Sequence, residues 1–465
     1  METPYQTALF QSIKNVSEKI SKENNVLVVS HHDADGVTAC AVLVKALRAL
    51  GKDVNFKVIK QLDSVTLSQI VELQPETCVF TDMGSGQLTL LAASGIPKYY
   101  ILDHHKPEGE YALQVNPHVH GFDGGLEVSG SGMAYFAAKA LGFQDMAHIA
   151  VVGAVGDMQD AGGRLHSLNR IIMDDAVNAG LLKVKNDLRL FGRQSRPLVQ
   201  MLAYSSDPVI PSLTGNAEAC TAFLLSLGIA PDVEGVLRNY VDLSWDERRE
   251  LTSALYMKLV DLGTPEFVIQ RMVGEVYTLL FEEKRTELRD AKEFATMLNA
   301  CGRQQQPEIG VEVCLGDRGS ALRKARNLLE VYRKMLRDGI DYLVKAGVDA
   351  RDSFYYFDAG GNIPESIVGV IAGMAYGARI IPPDRPVLAF ALDSEDSTML
   401  KVSARANWDL IRRGIHLGDA MRSESSRYGG EGGGHDIAAG ARIPRDAKED
   451  FLKSVDELFK KQTGG

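Results

Sequence analysis

The apolar positions of this chain alternate between two spacings. Val26 to Val29 form a short continuous apolar run that predicts a buried strand. The following stretch, "GVTACAVLVKALRAL", is apolar at helical spacing, with Gly51 placed to cap its C-terminus. Apolar runs opening "TCVFTDMGSG" and "YYILDHHKP" predict further strands, and the small-residue stretch "MAHIAVVGAVGDMQD" predicts a helix. Strands alternating with helices imply a mostly parallel sheet covered on both faces. From about residue 195 to 305 the pattern becomes helical, as in "DLSWDERRELTSALYMKLVDLG" and "LRDAKEFATMLNACGR", broken by the Pro/Gly-punctuated loop "DPVIPSLTGN". A second α/β region follows, with strands expected at "IGVEVCL", "DSFYYFDA", "PVLAFAL" and "MLKVSARA" and helices at 318–345 and 364–377. The expected fold is α/β: a parallel-sheet domain over 1–195, an inserted mainly helical module over 196–305, and a smaller α/β domain over 306–465.

Composition narrows the setting. No apolar run approaches the roughly 20 residues that span a bilayer, and the amphipathic N-terminus lacks a signal-peptide pattern. Cys40, Cys78, Cys220, Cys301 and Cys314 are scattered, odd in number and mostly in apolar surroundings, as reduced core cysteines of a cytoplasmic protein would be. A net charge of −10 argues against a protein that merely coats nucleic acid. It does not exclude a nucleic-acid enzyme, because local fields steer substrates.

The chemistry lies where the expected strands end. His31, Asp33 and Asp35 follow the first strand, Asp82 ends another, Asp103, His104 and His105 end a third, and Asp157 sits in "GAVGDMQD". In open α/β sheets that edge is the ligand-binding edge. Converging carboxylates repel and raise one another's pKa unless cations neutralise them. Mixed imidazole and carboxylate donors suit manganese, and magnesium less readily; the lack of thiolates argues against structural zinc. Two divalent ions about 3.5–4 Å apart, bridged by one aspartate, would suit phosphoryl transfer.

Other residues suggest a substrate-binding half. In "GGEGGGH", Gly432, Gly433 and Gly434 would let backbone N–H groups approach a phosphate, and His435 adds a donor. "KVSARA" places Ser403 and Arg405 on one face of a strand, a phosphate clamp. Arg193 and Arg196 are the basic residues best placed to contact a nucleic-acid strand, ahead of the stripe Arg323, Arg326, Arg333 and Arg337. His118, His120, His148, His166 and His416 have no spacing that recruits them.

In order along the chain, "HHDADG", "TDMGSG", "DHH" and "GAVGD" resemble the four motifs of the DHH phosphoesterases, and "GGEGGGHDIAAG" resembles their DHHA1 signature. The middle of the chain resembles archaeal RecJ-like exonucleases of the GINS-associated nuclease type. The resemblance implies a two-manganese nuclease that trims single-stranded DNA or RNA from an end, in replication or repair, with GINS or replicative helicase components as partners. It assigns His31, Asp33 and Asp82 to one metal and Asp35, Asp82, His104 and Asp157 to the other, with Asp82 bridging. His105 would contact the scissile phosphate or leaving group, and Asp103 would orient the histidines. Only 25 residues follow Gly440, so the oligonucleotide-binding domain of bacterial RecJ is expected to be missing. Two alternatives stand beside this reading. One is a phosphodiesterase of cyclic dinucleotides or very short oligoribonucleotides; the other is a replisome interaction subunit with incidental nuclease activity.

Overall fold

A computed structural model of the chain describes residues 4–205, 208–377 and 380–464. Two compact units divide chiefly within one long helix, between Leu329 and Glu330.

The first unit opens with α1 (Pro4–Ile20), β1 (Asn25–His31), α2 (Ala34–Ala49) and β2 (Asp53–Ile59). It continues through α3 (Ser64–Val71), β3 (Thr77–Thr81), α4 (Leu88–Ala92), β4 (Tyr99–Leu102) and β5 (Gln114–Val115). The five strands form one sheet in the order β2-β1-β3-β4-β5, with every neighbouring pair parallel. β1 is buried on both faces, which is why its apolar run is continuous instead of alternating. Leu27 and Val29 face a core with Leu67, Ile70 and Phe80. α2 packs with α5 (Gly130–Ala140) and α6 (Ala147–Gly156) into a helical layer against the sheet. Gly51 follows the last turn of α2 at φ 75°, a left-handed stop that suits glycine.

After α7 (Ser167–Asn178), the strand β6 (Leu182–Leu188) begins the central module. The module holds α8 (Leu198–Ala203), α9 (Ala217–Ser226), a hairpin of β7 (Asp232–Val233) and β8 (Val236–Leu237), α10 (Trp245–Asp261) and α11 (Glu266–Gln270). β9 (Val273–Leu279) returns antiparallel to β6. Met201, Leu224, Tyr240, Leu251 and Leu255 belong to the module's own core. The chain then comes back to the first sheet's helices: α12 (Ala291–Arg303) packs on α6, and α13 (Pro307–Cys314) on α2. The stretch "IGVEVCL", residues 309–315, was expected to form a strand; residues 307–314 form this helix instead. They are helical because Pro307 pre-sets the first helical position and the buried residues Pro307, Gly310, Val311 and Cys314 recur at helical spacing. Residues 306–329 thus pack with the first unit.

α14 (Ser320–Ala346) leads into the second unit, which holds β10 (Asp349–Ala350), β11 (Tyr355–Asp358), α15 (Glu365–Gly377), β12 (Val387–Leu392) and β13 (Met399–Arg405). α16 (Trp408–Arg412), α17 (Leu417–Arg427), β14 (Glu431–Gly434), β15 (Ala438–Pro444) and α18 (Lys448–Gln462) complete it. Its six strands run in the order β10-β11-β12-β13-β15-β14, and only β11 and β12 are parallel. This is the smaller α/β domain that the pattern predicted. Among the described residues no helix is long and apolar enough to cross a membrane.

Candidate metal centre

Three strand ends and one helix end converge at the C-terminal edge of the first sheet. His31 is the last residue of β1, Asp82 and Asp103 directly follow β3 and β4, and Asp157 caps the C-terminus of α6. His31 Nδ1 lies 3.1 Å from Asp33 Oδ2 and 3.6 Å from Asp82 Oδ2. His104 Nε2 lies 3.1 Å from Asp82 Oδ1 and 3.6 Å from Asp35 Oδ2, and its Nδ1 is 3.9 Å from Asp157. Three sets of donor atoms are close enough to hold a cation: His31–Asp33–Asp82, Asp35–His104–Asp157, and Asp82–His104–His105. All six residues expected to ligate metal are therefore gathered in one place.

Local structure explains the positions. Asp33 caps α2, accepting from Gly36 N at 3.0 Å, and Asn299 of α12 accepts from Ala34 N at 2.9 Å. Asp35 receives both N-terminal amides of α5, Gly130 N at 2.6 Å and Ser131 N at 3.0 Å, where the helix dipole favours a negative charge. A Cβ on Gly130 would collide with the Asp82 carboxylate, so only glycine lets this helix start so close. Asp82 itself has φ 58°, a left-handed conformation of the kind that collects at functional sites.

Asp103 accepts from the amides of Ser85, His104 and His105 and from His105 Nδ1 at 2.9 Å. It holds the backbone amides of both histidines and the ring of His105. Asn116 donates to Ser85 Oγ and to the His105 carbonyl and pins the same loop. Burial alone would lower the His105 pKa, but the charge and hydrogen bond of Asp103 outweigh it and lift it to about 9.

His104 decides what the pocket is for. Its Nδ1 is 2.7 Å from the Gly124 carbonyl, an acceptor only, so Nδ1 carries the hydrogen. In the neutral ring Nε2 then presents a lone pair to Asp82 Oδ1. Both atoms are buried and have no hydrogen-bond partner. Two acceptors held 3.1 Å apart require a proton or a cation between them. Burial and the Asp82 charge push Asp35 up to about 7, and burial together with Asp82 and Asp33 raises Asp157 to about 6, despite the opposing pull of His104. Divalent cations fit this donor set.

The comparisons with known proteins follow the same residues. The DHH family, N-terminal domain, matches residues 25–154, the DHH-CID domain 190–273 and the DHHA1 domain 355–461. The uncharacterized protein MJ0831 of Methanocaldococcus jannaschii is 30% identical over 462 residues, covering 97% of this chain and 96% of that protein. This protein belongs to the DHH/DHHA1 superfamily. Its fold is RecJ-like: CDC45 from Entamoeba histolytica matches at TM-score 0.64 with 14% identity over 98% of each chain. RecJ from Thermus thermophilus, in complex with Mn2+, matches at 0.59 with 17% identity. That match covers 97% of this chain, which spans 55% of the RecJ chain.

Members of the DHH family are metal-dependent phosphoesterases, and the second unit of this chain carries the other expected residues. Ser403 of β13 pairs across the sheet with Gly440, which pairs with Gly433 of β14. Ser403 and Arg405 both press on α15, where a Cβ on Gly369 would lie 2.9 Å from Ser403 Oγ and 2.6 Å from an Arg405 guanidinium nitrogen. His435 sits at the turn between β14 and β15, its amide bonded to the Ala438 carbonyl. Gly432 and Gly434 have structural duties beyond those expected: a Cβ on Gly432 would collide with the Met421 carbonyl of α17, and Gly434 has φ 131°.

Two arginines depart from expectation. Arg193 is 6% exposed, paired with Asp187 and with Asp290 at 3.7 Å, and lies 4.9 Å over the Tyr240 ring. It ties β6 to the start of α12 and is withdrawn from any strand. Arg196 stacks on Phe191 at 4.7 Å and Tyr204 at 5.5 Å. Both were expected to contact a nucleic-acid strand; nothing in the sequence pointed to these aromatic partners or, for Arg193, to the distant Asp290. Conversely, Gly130, Ser131 and Asn116 went unnoticed; the only signal was "SGSG" opening a helical stretch.

Proposed function

We propose that this protein is a manganese-dependent exonuclease that hydrolyses single-stranded DNA or RNA from an end, in replication or repair. The observation that carries the reading is the buried pair of facing acceptors, His104 Nε2 and Asp82 Oδ1, at 3.1 Å. His31, Asp33 and Asp82 would hold one cation, and Asp35, Asp82, His104 and Asp157 a second, with Asp82 shared. When bound, the cations would activate a water and neutralise charge on the phosphoryl group in flight.

The remaining steps belong to the chain. Asp103 keeps the His105 imidazolium protonated and aimed, and the half-exposed ring offers Nε2–H to a phosphate oxygen or to the leaving oxygen. Ser403, Arg405, Gly432, Gly433, Gly434 and His435 would hold the terminal phosphates, so that an end of the strand is presented. Association with GINS or replicative helicase components rests on the sequence resemblance and on the CDC45-like fold.

The test is hydrolysis of a short single strand, as DNA and as RNA, labelled at either end, with manganese, magnesium or chelator. Manganese-dependent release of mononucleotides from one end is the expected result. Cleavage of a dinucleotide with neither strand touched would replace this reading with the small-substrate phosphodiesterase.

A further inference from the structure

The turn after α6 holds more than a metal ligand. Met158 adopts φ 59° and points outward, 66% exposed. This left-handed step turns its two neighbours, Asp157 and Gln159, toward the same wall. Gln159 is 1% exposed, and its amide nitrogen faces three acceptors: Asp157 Oδ2 at 2.8 Å, the Gly124 carbonyl at 2.8 Å and the Val128 carbonyl at 3.2 Å. Three acceptors around one atom identify it as the NH2 end. Its Oε1 must then accept, and Asn169 Nδ2, also buried, donates to it.

The Gly124 carbonyl is the group that fixes the His104 ring, accepting from Nδ1 at 2.7 Å. One amide therefore braces two partners of the same set, Asp157 directly and His104 through a shared carbonyl. Each needs bracing. Asp157 is repelled by Asp82 and Asp33, and the opposite His104 tautomer would turn a hydrogen toward Asp82 where a lone pair is needed for a cation. Hydrogen bonds behind the ligands commonly set ring orientation and ligand basicity in metal sites.

We propose that Gln159, oriented by Asn169, is a positioning residue that readies the Asp35–His104–Asp157 set for a divalent cation. The inference rests on the metal-centre reading above and predicts which of the two sets depends on this amide. The His31–Asp33–Asp82 set lies outside its hydrogen bonds.

Manganese titration of the metal-stripped full chain by calorimetry, with thermal unfolding of the same metal-free samples, tests it. The wild type should take up two ions. Gln159→Met, which keeps the volume and removes the amide, should weaken one of the two about 10- to 100-fold and leave the other within a few-fold. Gln159→Glu, which sets an oxygen against Asp157 and two carbonyls, should weaken the same ion at least as much. Asn169→Ala should give a smaller loss at that ion and carries the test if neither Gln159 variant folds. A lower melting temperature with both affinities unchanged would make Gln159 a structural bridge and overturn the proposal. Equal weakening of both ions would also overturn it. A wild type that binds no manganese would remove the metal reading itself, and this inference with it.

Discussion

Two buried charged clusters among the described residues of the first unit differ in how their charges are met. Around Arg193, each aspartate has a cation. Asp160 pairs with Arg189, Asp187 with Arg193 and, at 3.7 Å, with Arg248, and Asp290 lies 3.7 Å from Arg193. Glu293, lifted to about 7 chiefly by burial, accepts the Gln194 and Ser195 amides and helps hold the segment between β6 and α8. At the sheet edge, five aspartates meet three histidines, and His104 Nε2 faces Asp82 Oδ1 at 3.1 Å, a contact that needs a proton or a cation between the two atoms. Charge density is similar in the two places; satisfaction is not. A cluster whose charges are matched holds the fold together, whereas one with unmatched charge waits for an ion.

The sharpest break between the clusters should come from Asp82→Asn. Asparagine tolerates the left-handed backbone at this position, so the change removes charge and little else. Hydrolysis should fall by about 10^3-fold or more, the scale of losing several kcal/mol of charge stabilisation. The metal-free protein should melt at the same or a higher temperature, because repulsion has been relieved. Arg193→Leu should do the reverse. Breaking a buried pair costs about 3–5 kcal/mol, read by denaturant unfolding, while manganese affinity of the folded protein stays near wild type.

Smaller effects sharpen the picture. His105→Ala should lower turnover about 10^2- to 10^4-fold, as expected for a general acid, with manganese binding nearly unchanged. Turnover and calorimetry on the same preparation check this. Manganese affinity should fall as pH drops through about 7 and then about 6, because Asp35 and Asp157 take up protons there that the ion must displace. Calorimetry in buffers of different ionisation heat should show proton release. On the metal-free fold the sign is opposite. These two groups bind protons more tightly folded than unfolded, so the cost to stability is absent below the unfolded value, about 4, grows as pH rises from there toward 6 and 7, and is complete above them.

How much of this was legible in sequence follows from where each residue sits. The six ligand candidates stood out because a parallel sheet delivers them at strand ends, just after apolar runs. Asp103 and His105 came with the same motif. The supporting layer stayed hidden: Gln159 acts through the carbonyls of Gly124 and Val128, Asn169 through the Gln159 side chain, and Asn116 through Ser85 and the His105 carbonyl, and no spacing reveals such partners. Arg193 misled for the matching reason, since Asp290, one of the carboxylates that balance it, is almost 100 residues distant. "IGVEVCL" alternates like a strand, and Pro307 decided the helix. The glycine run was expected to cradle phosphate; two of its glycines also serve close packing and a positive φ, and Gly433 lies in register with Ser403 through Gly440.

The central claim is that the facing acceptors His104 Nε2 and Asp82 Oδ1 are built around cations. Calorimetric titration of manganese into the metal-stripped wild type and the Asp82→Asn variant tests it most directly. Two ions bound per wild-type chain, with both lost or severely weakened in the variant, is the predicted result. A wild type that binds none, or a variant that binds as tightly as the wild type, would contradict it.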